Sequence, residues 1–232
     1  AMRFCPQGFV FETKGSMCFP KAADQVWVVL GYANSKLVDD FLGSLSPTLD
    51  YHEGPLGLIP FKPVANRRIA EIAKRCVAIA RRDWDAGEWS WDFTQHPLIV
   101  IAAHTIGEAW ESWRISAIQS VAEMKSLEEE SNLLFAQEYG LEEEIDPRVR
   151  DEDITLLRPS ISSCIRELVS YALGCVVGRY SLDKPGLVYA HGGNEGFDPD
   201  QYKTCSADKD GIVPVTEMDW FEDATTHHFK KF

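Results

Sequence analysis

Arg67-Arg68-Ile69-Ala70-Glu71-Ile72-Ala73-Lys74-Arg75-Cys76-Val77-Ala78-Ile79-Ala80-Arg81-Arg82 is the stretch on which the fold turns. With Ala65 ahead of it, its apolar residues recur as Ala65, Ile69, Ile72, Cys76 and Ile79, in steps of four and three. That is the period of an α-helix with one apolar face, and it predicts a helix of about five turns between Val64 and Trp84. The outer face is basic, because Arg67-Arg68, Lys74-Arg75 and Arg81-Arg82 repeat every seven residues. From Lys62 to Arg82 seven bases stand against the single acid Glu71, a local balance of +6. The whole chain, with 23 Lys and Arg against 36 Asp and Glu, carries a net charge of −13.

Downstream of this helix, Asp83-Trp84-Asp85-Ala86-Gly87-Glu88-Trp89-Ser90-Trp91-Asp92-Phe93 is an aromatic elbow closed by Pro97. Trp84, Trp91 and Phe93 are expected to be mostly buried there and to set the angle between the spacer helix and a helical bundle. A second long helix is predicted from near Ile101 to about Tyr139, with Gly140 in the place of a C-terminal glycine. Its far half is acidic: from Glu123 to Asp153 twelve acids face only Lys125, Arg148 and Arg150, a balance of −9. Pro159-Ser160 then caps a third helix, whose Ile161, Cys164, Ile165, Leu168, Ala172, Cys175 and Val176 make a wide apolar face ending at Gly178. Beyond Arg179 the chain turns Gly- and Pro-rich, with Ile212-Val213-Pro214-Val215 reading as a strand and a helix start near Thr216 to Glu217.

Upstream, Gly8 to Phe19 alternates apolar and polar residues around Lys14-Gly15-Ser16, the pattern of a short β-hairpin. Two short helices come next, the second N-capped near Asn34-Ser35. Leu49 to His52 reads as a strand, and Gly54-Pro55 with Pro60 and Pro63 reads as an extended connection. The expected fold is therefore α+β and mostly α. Residues 1–62 form a small hairpin-containing segment, 63–97 the spacer helix and elbow, and 98–232 a helical bundle with an irregular C-terminal tail.

Composition narrows the function classes. The chain has 232 residues, 45% of them hydrophobic, so a sizeable core is available and disorder is not the expected main state. No apolar run approaches the roughly 18 residues of a membrane helix, and Ala1-Met2-Arg3-Phe4-Cys5 is unlike a signal peptide. Six cysteines without a C-x-x-C pair suit buried reduced thiols, hence a cytoplasmic setting. Ala1 ahead of Met2, and an end without a closing turn signal, are expected of a piece of a longer chain. The phosphate-cradling, nucleophile-elbow, H-E-x-x-H and dinucleotide motifs are missing from the sequence. His104 and Glu108, one helical turn apart, are a weak acid/base pair, and His191, Gly192, Gly193 and Cys205 lack a second ligand pair at metal spacing. No catalytic or metal residue is assigned. The basic helical face has two readings: it can follow a phosphate backbone, or it can answer the acidic half of the second long helix. The acid run is in turn a solvated face or a docking surface.

Several segments taken in order resemble a known family. Gly8-Phe9-Val10-Phe11-Glu12-Thr13-Lys14-Gly15-Ser16, Leu30-Gly31-Tyr32-Ala33-Asn34-Ser35-Lys36, Ser46-Pro47-Thr48-Leu49 and Leu58-Ile59-Pro60 resemble the end of a target-recognition domain of restriction-modification methyltransferases. Asp83-Trp84-Asp85, Trp91-Asp92-Phe93, His96-Pro97-Leu98, Glu128-Glu129-Glu130 through Tyr139-Gly140-Leu141, Arg158-Pro159-Ser160, Gly178-Arg179-Tyr180-Ser181-Leu182-Asp183 and Pro185-Gly186-Leu187 are similar to the C-terminal half of the PglX family. Those are adenine-specific DNA methyltransferases of bacteriophage exclusion (BREX) systems. The resemblance implies a parent enzyme that uses AdoMet, duplex DNA as its partner, and other BREX proteins as candidate partners. With the phosphate-following reading of the basic helical face, the candidate DNA contacts are Arg67, Arg68, Lys74, Arg75, Arg81 and Arg82, together with Lys14 and Lys36 upstream. Such enzymes hold a flipped adenine with an Asn- or Asp-Pro-Pro-aromatic tetrapeptide. Here the Asp-Pro pairs are Asp146-Pro147-Arg148 and Asp198-Pro199-Asp200, so no catalytic or cofactor residue carries over. The expected role is non-catalytic positioning of DNA, with a protein-docking module as the alternative.

Overall fold

The structure is a computed structural model that describes residues 2–10, 17–46, 53–62, 64, 66–191 and 195–208. Its helices are α1 (Val26–Ala33), α2 (Lys36–Leu45), α3 (Glu53–Leu58), α4 (Arg67–Asp85), α5 (Pro97–Val100), α6 (Ile106–Tyr139) and α7 (Ile161–Val176). Among the described residues there is no β-strand, which overturns the α+β expectation and its hairpin. Residues 11–16 of the hairpin span, Lys14 included, lie outside the described residues, but its flanks are irregular. Val10, which the alternation would pair inward or outward, is 98% exposed, so the pattern marks no buried sheet face. The strands expected at 49–52 and 212–215 also fall outside the described residues. Gly54-Pro55, expected to be extended, begins α3 instead, since a proline in a first helical turn sacrifices no backbone bond.

The helix ends follow local chemistry. Ser35 caps α2 by accepting from the Val38 amide at 3.4 Å. His96 caps α5 through Nδ1, which accepts from the Leu98 amide at 3.3 Å, with Pro97 in the first turn. Thr105 and Glu108 cap α6: the Glu108 amide donates to Thr105 Oγ1, and the Glu108 carboxylate accepts from the His104 amide at 3.0 Å. The long helix thus starts at Ile106 rather than Ile101, and the His104–Glu108 pair is a helix cap, with no imidazole in the bond. Gly140 (φ 68°) ends α6 and Gly178 (φ 79°) follows α7. The Leu141 amide returns to Ala136 and the Arg179 amide to Gly174, satisfying carbonyls of the last turns.

The chain divides into two compact units, 1–80 with 119–156 and 81–118 with 157–232. In the first, Tyr32, Leu37, Val38, Leu42, Val64, Ile69, Phe135, Ala136 and Ile145 form one core, and Ile79, Met124, Ile154 and Leu156 a second. Buried Asn132 ties α2 to the chain after α6, accepting from the Lys36 amide at 2.8 Å and donating to the Pro147 carbonyl at 3.1 Å.

In the second unit Phe93, Tyr171, Cys175 and Tyr180 pack together, beside a cluster of Leu98, Ala109, Cys164 and Leu168. Tyr180 stacks on Tyr171 at 5.2 Å, with Phe93 edge-on to both rings. Gly174 makes room for this, since a Cβ there would lie 2.5 Å from the Tyr180 ring. The irregular segment after α7 is pinned back to that helix: Tyr202 Oη donates to the Gly178 carbonyl and the Asp208 amide to the Val176 carbonyl, each at 2.7 Å.

The elbow departs from expectation. Phe93 is buried, but Trp84 is 59% and Trp91 95% exposed. Trp91 sits between Ser90 and Asp92 in a turn, where the described residues leave its ring open to water. Trp91→Ala is accordingly expected to change stability by no more than about 0.5 kcal/mol in a urea titration. A loss of several kcal/mol would show that the indole is packed in solution.

Candidate nucleic-acid interface

Helix α4 buries Ile69, Ile72, Ala73 and Ile79, and this fixes which side its bases can occupy. The two residues of each basic doublet are about 100° apart around the axis, so they meet different surroundings. In the first unit the second residue of each doublet turns toward α6. Arg68 Nε and Nη2 donate to both oxygens of Glu130 at 2.6 and 2.7 Å, and Arg75 Nε and Nη2 to both oxygens of Glu123 at 2.5 and 2.9 Å. Seven residues separate the two partners on each helix, so α4 and α6 run antiparallel through two forked ion pairs. Each guanidinium is held above its ordinary pKa, first by the hydrogen bond and then by the charge of its carboxylate. The sequence carried that signal in the matching interval between Glu123 and Glu130.

The first residues of the doublets are placed differently. The Arg67 side chain is 93% exposed and reaches Glu71 of its own helix at 3.2 Å. Lys74 is exposed, with its ammonium 5.7 Å from the centre of the Trp27 ring. Arg67 and Lys74 therefore share an outer face whose exposed contacts are weak and exchangeable with water. In the second unit Arg81 bonds Asp92 at 2.7 Å and Asp85 at 3.3 Å, and Arg82 is exposed. Lys36, at the start of α2, lies 3.5 Å from Asp39.

The Asp-Pro pairs serve local turns. Asp146 holds Arg148 through both carboxylate oxygens, which keeps the acid down at about pKa 2, and Asp198 accepts from the Asp200 amide at 3.0 Å. Thiol chemistry is also unsupported where shifts are resolved. Burial pushes Cys76 and Cys175 up to about 12 and Cys164 to about 11, so each stays protonated at neutral pH. Among the described residues no group of three or more His, Cys, Asp or Glu is arranged to hold a metal ion, and no helix is long and apolar enough to cross a membrane. Residues 192–194, beside His191, lie outside the described set.

The second unit contains a cavity of about 160 Å³ whose walls include Trp89, His96, Trp113, Cys164 and Glu167. His96 is 2% exposed, and burial lowers its pKa to about 4 against a smaller opposing pull from the Cys164 backbone. It is neutral at pH 7, and with Nδ1 accepting the cap bond its proton sits on Nε2. The cavity wall is mainly apolar, with His96 and Glu167 among its polar groups.

Comparison with curated proteins adds two relatives. The chain is 34% identical over 226 residues to the adenine-specific methyltransferase PglX of Lacticaseibacillus casei (strain Zhang), covering 95% of this chain and 19% of that protein. It is 32% identical over 255 aligned positions to the adenine-specific methyltransferase BrxX of Escherichia coli O9:H4 (strain HS), covering 100% of this chain and 21% of that protein. The chain spans about a fifth of the length of these relatives. No protein-family model matches it.

Proposed function

We propose, from homology that runs along the whole chain to part of the adenine-specific methyltransferases PglX and BrxX, that this protein is a non-catalytic segment of such an enzyme. Its role is to hold duplex DNA while another part of the polypeptide methylates adenine N6 in phage defence. The observation that carries this reading is the homology itself, joined to the lack of an Asp-Pro-Pro-aromatic tetrapeptide in the segment. AdoMet and the flipped base then belong to the remaining part of the enzyme, in the cytoplasm where its DNA lies. Arg67 and Lys74, on the outer face of α4, supply phosphate contacts that set register without reading bases. Arg68 and Arg75 serve α4 and α6 instead, because breaking a forked pair to reach a phosphate forfeits two charge-assisted bonds.

Two titrations of the chain test this. Calorimetry with AdoMet is expected to be silent, and a labelled duplex is expected to bind more weakly as salt rises, by roughly one unit of logarithmic slope per phosphate contact. A saturable AdoMet heat, or duplex binding indifferent to salt, contradicts the reading. A second reading, a docking module for other defence proteins, is favoured by Trp84, Trp89 and Trp91, which stand exposed in one unit where a purely structural elbow would bury them. A chain that ignores duplex at every salt concentration and loses partner binding on Trp91→Ala supports that reading over the first.

A further inference from the structure

The cavity of the second unit adjoins a second lobe, also of about 160 Å³, and Ala86, Gly87, Trp89, His96 and Glu167 wall both. Trp89 is 46% exposed at this shared wall, and Gly87 leaves the indole its place, since a Cβ there would run into the ring. Helix α7 turns one face to the cleft, because Ser163, Glu167 and Ser170 follow one another at steps of four and three. Two lobes of this size stand at the lower end of the roughly 300 to 1,000 Å³ of small-molecule sites, so the cleft suits a ligand of one ring.

Two buried polar atoms on its walls have no hydrogen-bond partner among the described residues, His96 Nε2 and Glu88 Oε1. His96 is 2% exposed, and its Nδ1 is taken by the Leu98 amide, so Nε2 is a donor in need of an acceptor. The Cys164 backbone acts on the imidazole without completing a hydrogen bond. Glu88 Oε2 accepts from Tyr180 Oη at 3.3 Å, which leaves Oε1 an acceptor in need of a donor. Glu167 adds a second carboxylate to the same lobe; burial raises its pKa, Arg166 opposes this and the charge of Glu88 adds to it. These demands select the ligand chemistry. An ammonium or guanidinium group only donates and leaves His96 unmatched, and a carboxylate or phosphate only accepts and meets two acids. A hydroxyl accepts from the imidazole and donates to a carboxylate at once. The polar groups come from the elbow, the α5 cap and α7, hence from several sides, as hydroxyls spread around one ring require.

We propose that this cleft binds a neutral polyhydroxylated ring, a single sugar unit, with a C–H face on Trp89 and hydroxyls shared among His96, Glu88 and Glu167. The weakly positive C–H groups of such a ring lie well on the negative face of an indole. The site is separate from the outer face of α4 and independent of its role. Ligand-observed NMR of the 232-residue chain with the methyl glycosides of glucose, galactose, mannose and N-acetylglucosamine tests the proposal. At least one should bind saturably with a Kd of about 1 mM, and the His96 Nε2 proton should shift along the same curve. Trp89→Ala, at an exposed side chain, should weaken that binding about tenfold, and Trp89→Phe should restore most of it. Glu167→Gln should weaken it as well. Three results overturn the proposal: no saturable binding of any of the four at about 50 mM, binding that Trp89→Ala leaves unchanged, or a cleft that takes spermidine or adenosine more tightly than every sugar.

Discussion

Phe135→Ala is expected to cost about 3 to 5 kcal/mol, the usual range for truncating a fully buried aromatic side chain. Phe135 has no exposed surface and lies among Tyr32, Ile69 and Ala136. Its ring centre is 5.6 Å from that of Tyr32. Gly31 brings α1 close, since a Cβ there would lie 3.3 Å from Ile69 and 3.5 Å from the Phe135 ring. The cavity left by alanine cannot close easily, because Tyr32 is tied by its hydroxyl to the Pro60 carbonyl at 2.8 Å and stacked on Tyr139. Chemical denaturation measures the loss, and a cost below about 1 kcal/mol would mean that the site collapses or that α6 is not seated on α1.

Glu128 provides the second large effect, through pH. Burial, reinforced by Asp153 and opposed by Arg3, pushes its carboxyl up to about 7. In the unfolded chain it titrates near 4.3. Between those values the folded state keeps a proton that the unfolded state has lost, so stability falls as pH rises through roughly 4.5 to 7, and the loss is complete above that window. At 1.36 kcal/mol per unit, a rise from near 4.3 to about 7 is on the order of 3 to 4 kcal/mol. Glu128→Gln removes the titration, so at pH 8 it should be more stable than the parent by about that amount, and the gain should shrink to near zero at pH 4.5. Taking the difference between the two proteins removes His96, whose lowered pKa acts the other way by costing stability as pH falls below about 6.5. A gain that is the same at every pH would place Glu128 in water.

Much of this fold was legible in the sequence where one physical signal dominates. The steps of three and four in α4, the serine before α2 and the glycines at 140 and 178 marked helices and their ends, because period, cap and positive φ are local requirements. The break between α5 and α6 was not legible. Leu98, Ile99 and Ile101 continue an apolar pattern, and only the Thr105–Glu108 cap shows where the longer helix begins. The hairpin failed because alternation around Lys14-Gly15 measures polarity and not burial, and the flanking Phe9, Val10 and Phe19 are exposed. The elbow failed similarly: a tryptophan is buried by its surroundings, and Trp91 has too little around it. For the candidate interface, the doublets were plain, but the division of labour within each depends on the register of α6. Arg68 and Arg75 turn inward because Glu130 and Glu123 meet them, which leaves Arg67 and Lys74 facing out.

That division makes a comparison of two variants in duplex binding the most direct measurement. Arg67→Gln/Lys74→Gln should weaken binding about equally for matched and unmatched sequences, and lower the salt slope by about one unit for each phosphate interaction removed, up to ~2. Stability should fall little, since exposed ion pairs are worth ~0 to 1 kcal/mol each. Arg68→Gln/Arg75→Gln should instead loosen the α4–α6 pairing at low salt and leave the slope as it was. Unchanged affinity of the first variant at every salt concentration would contradict a DNA-holding role for this helix.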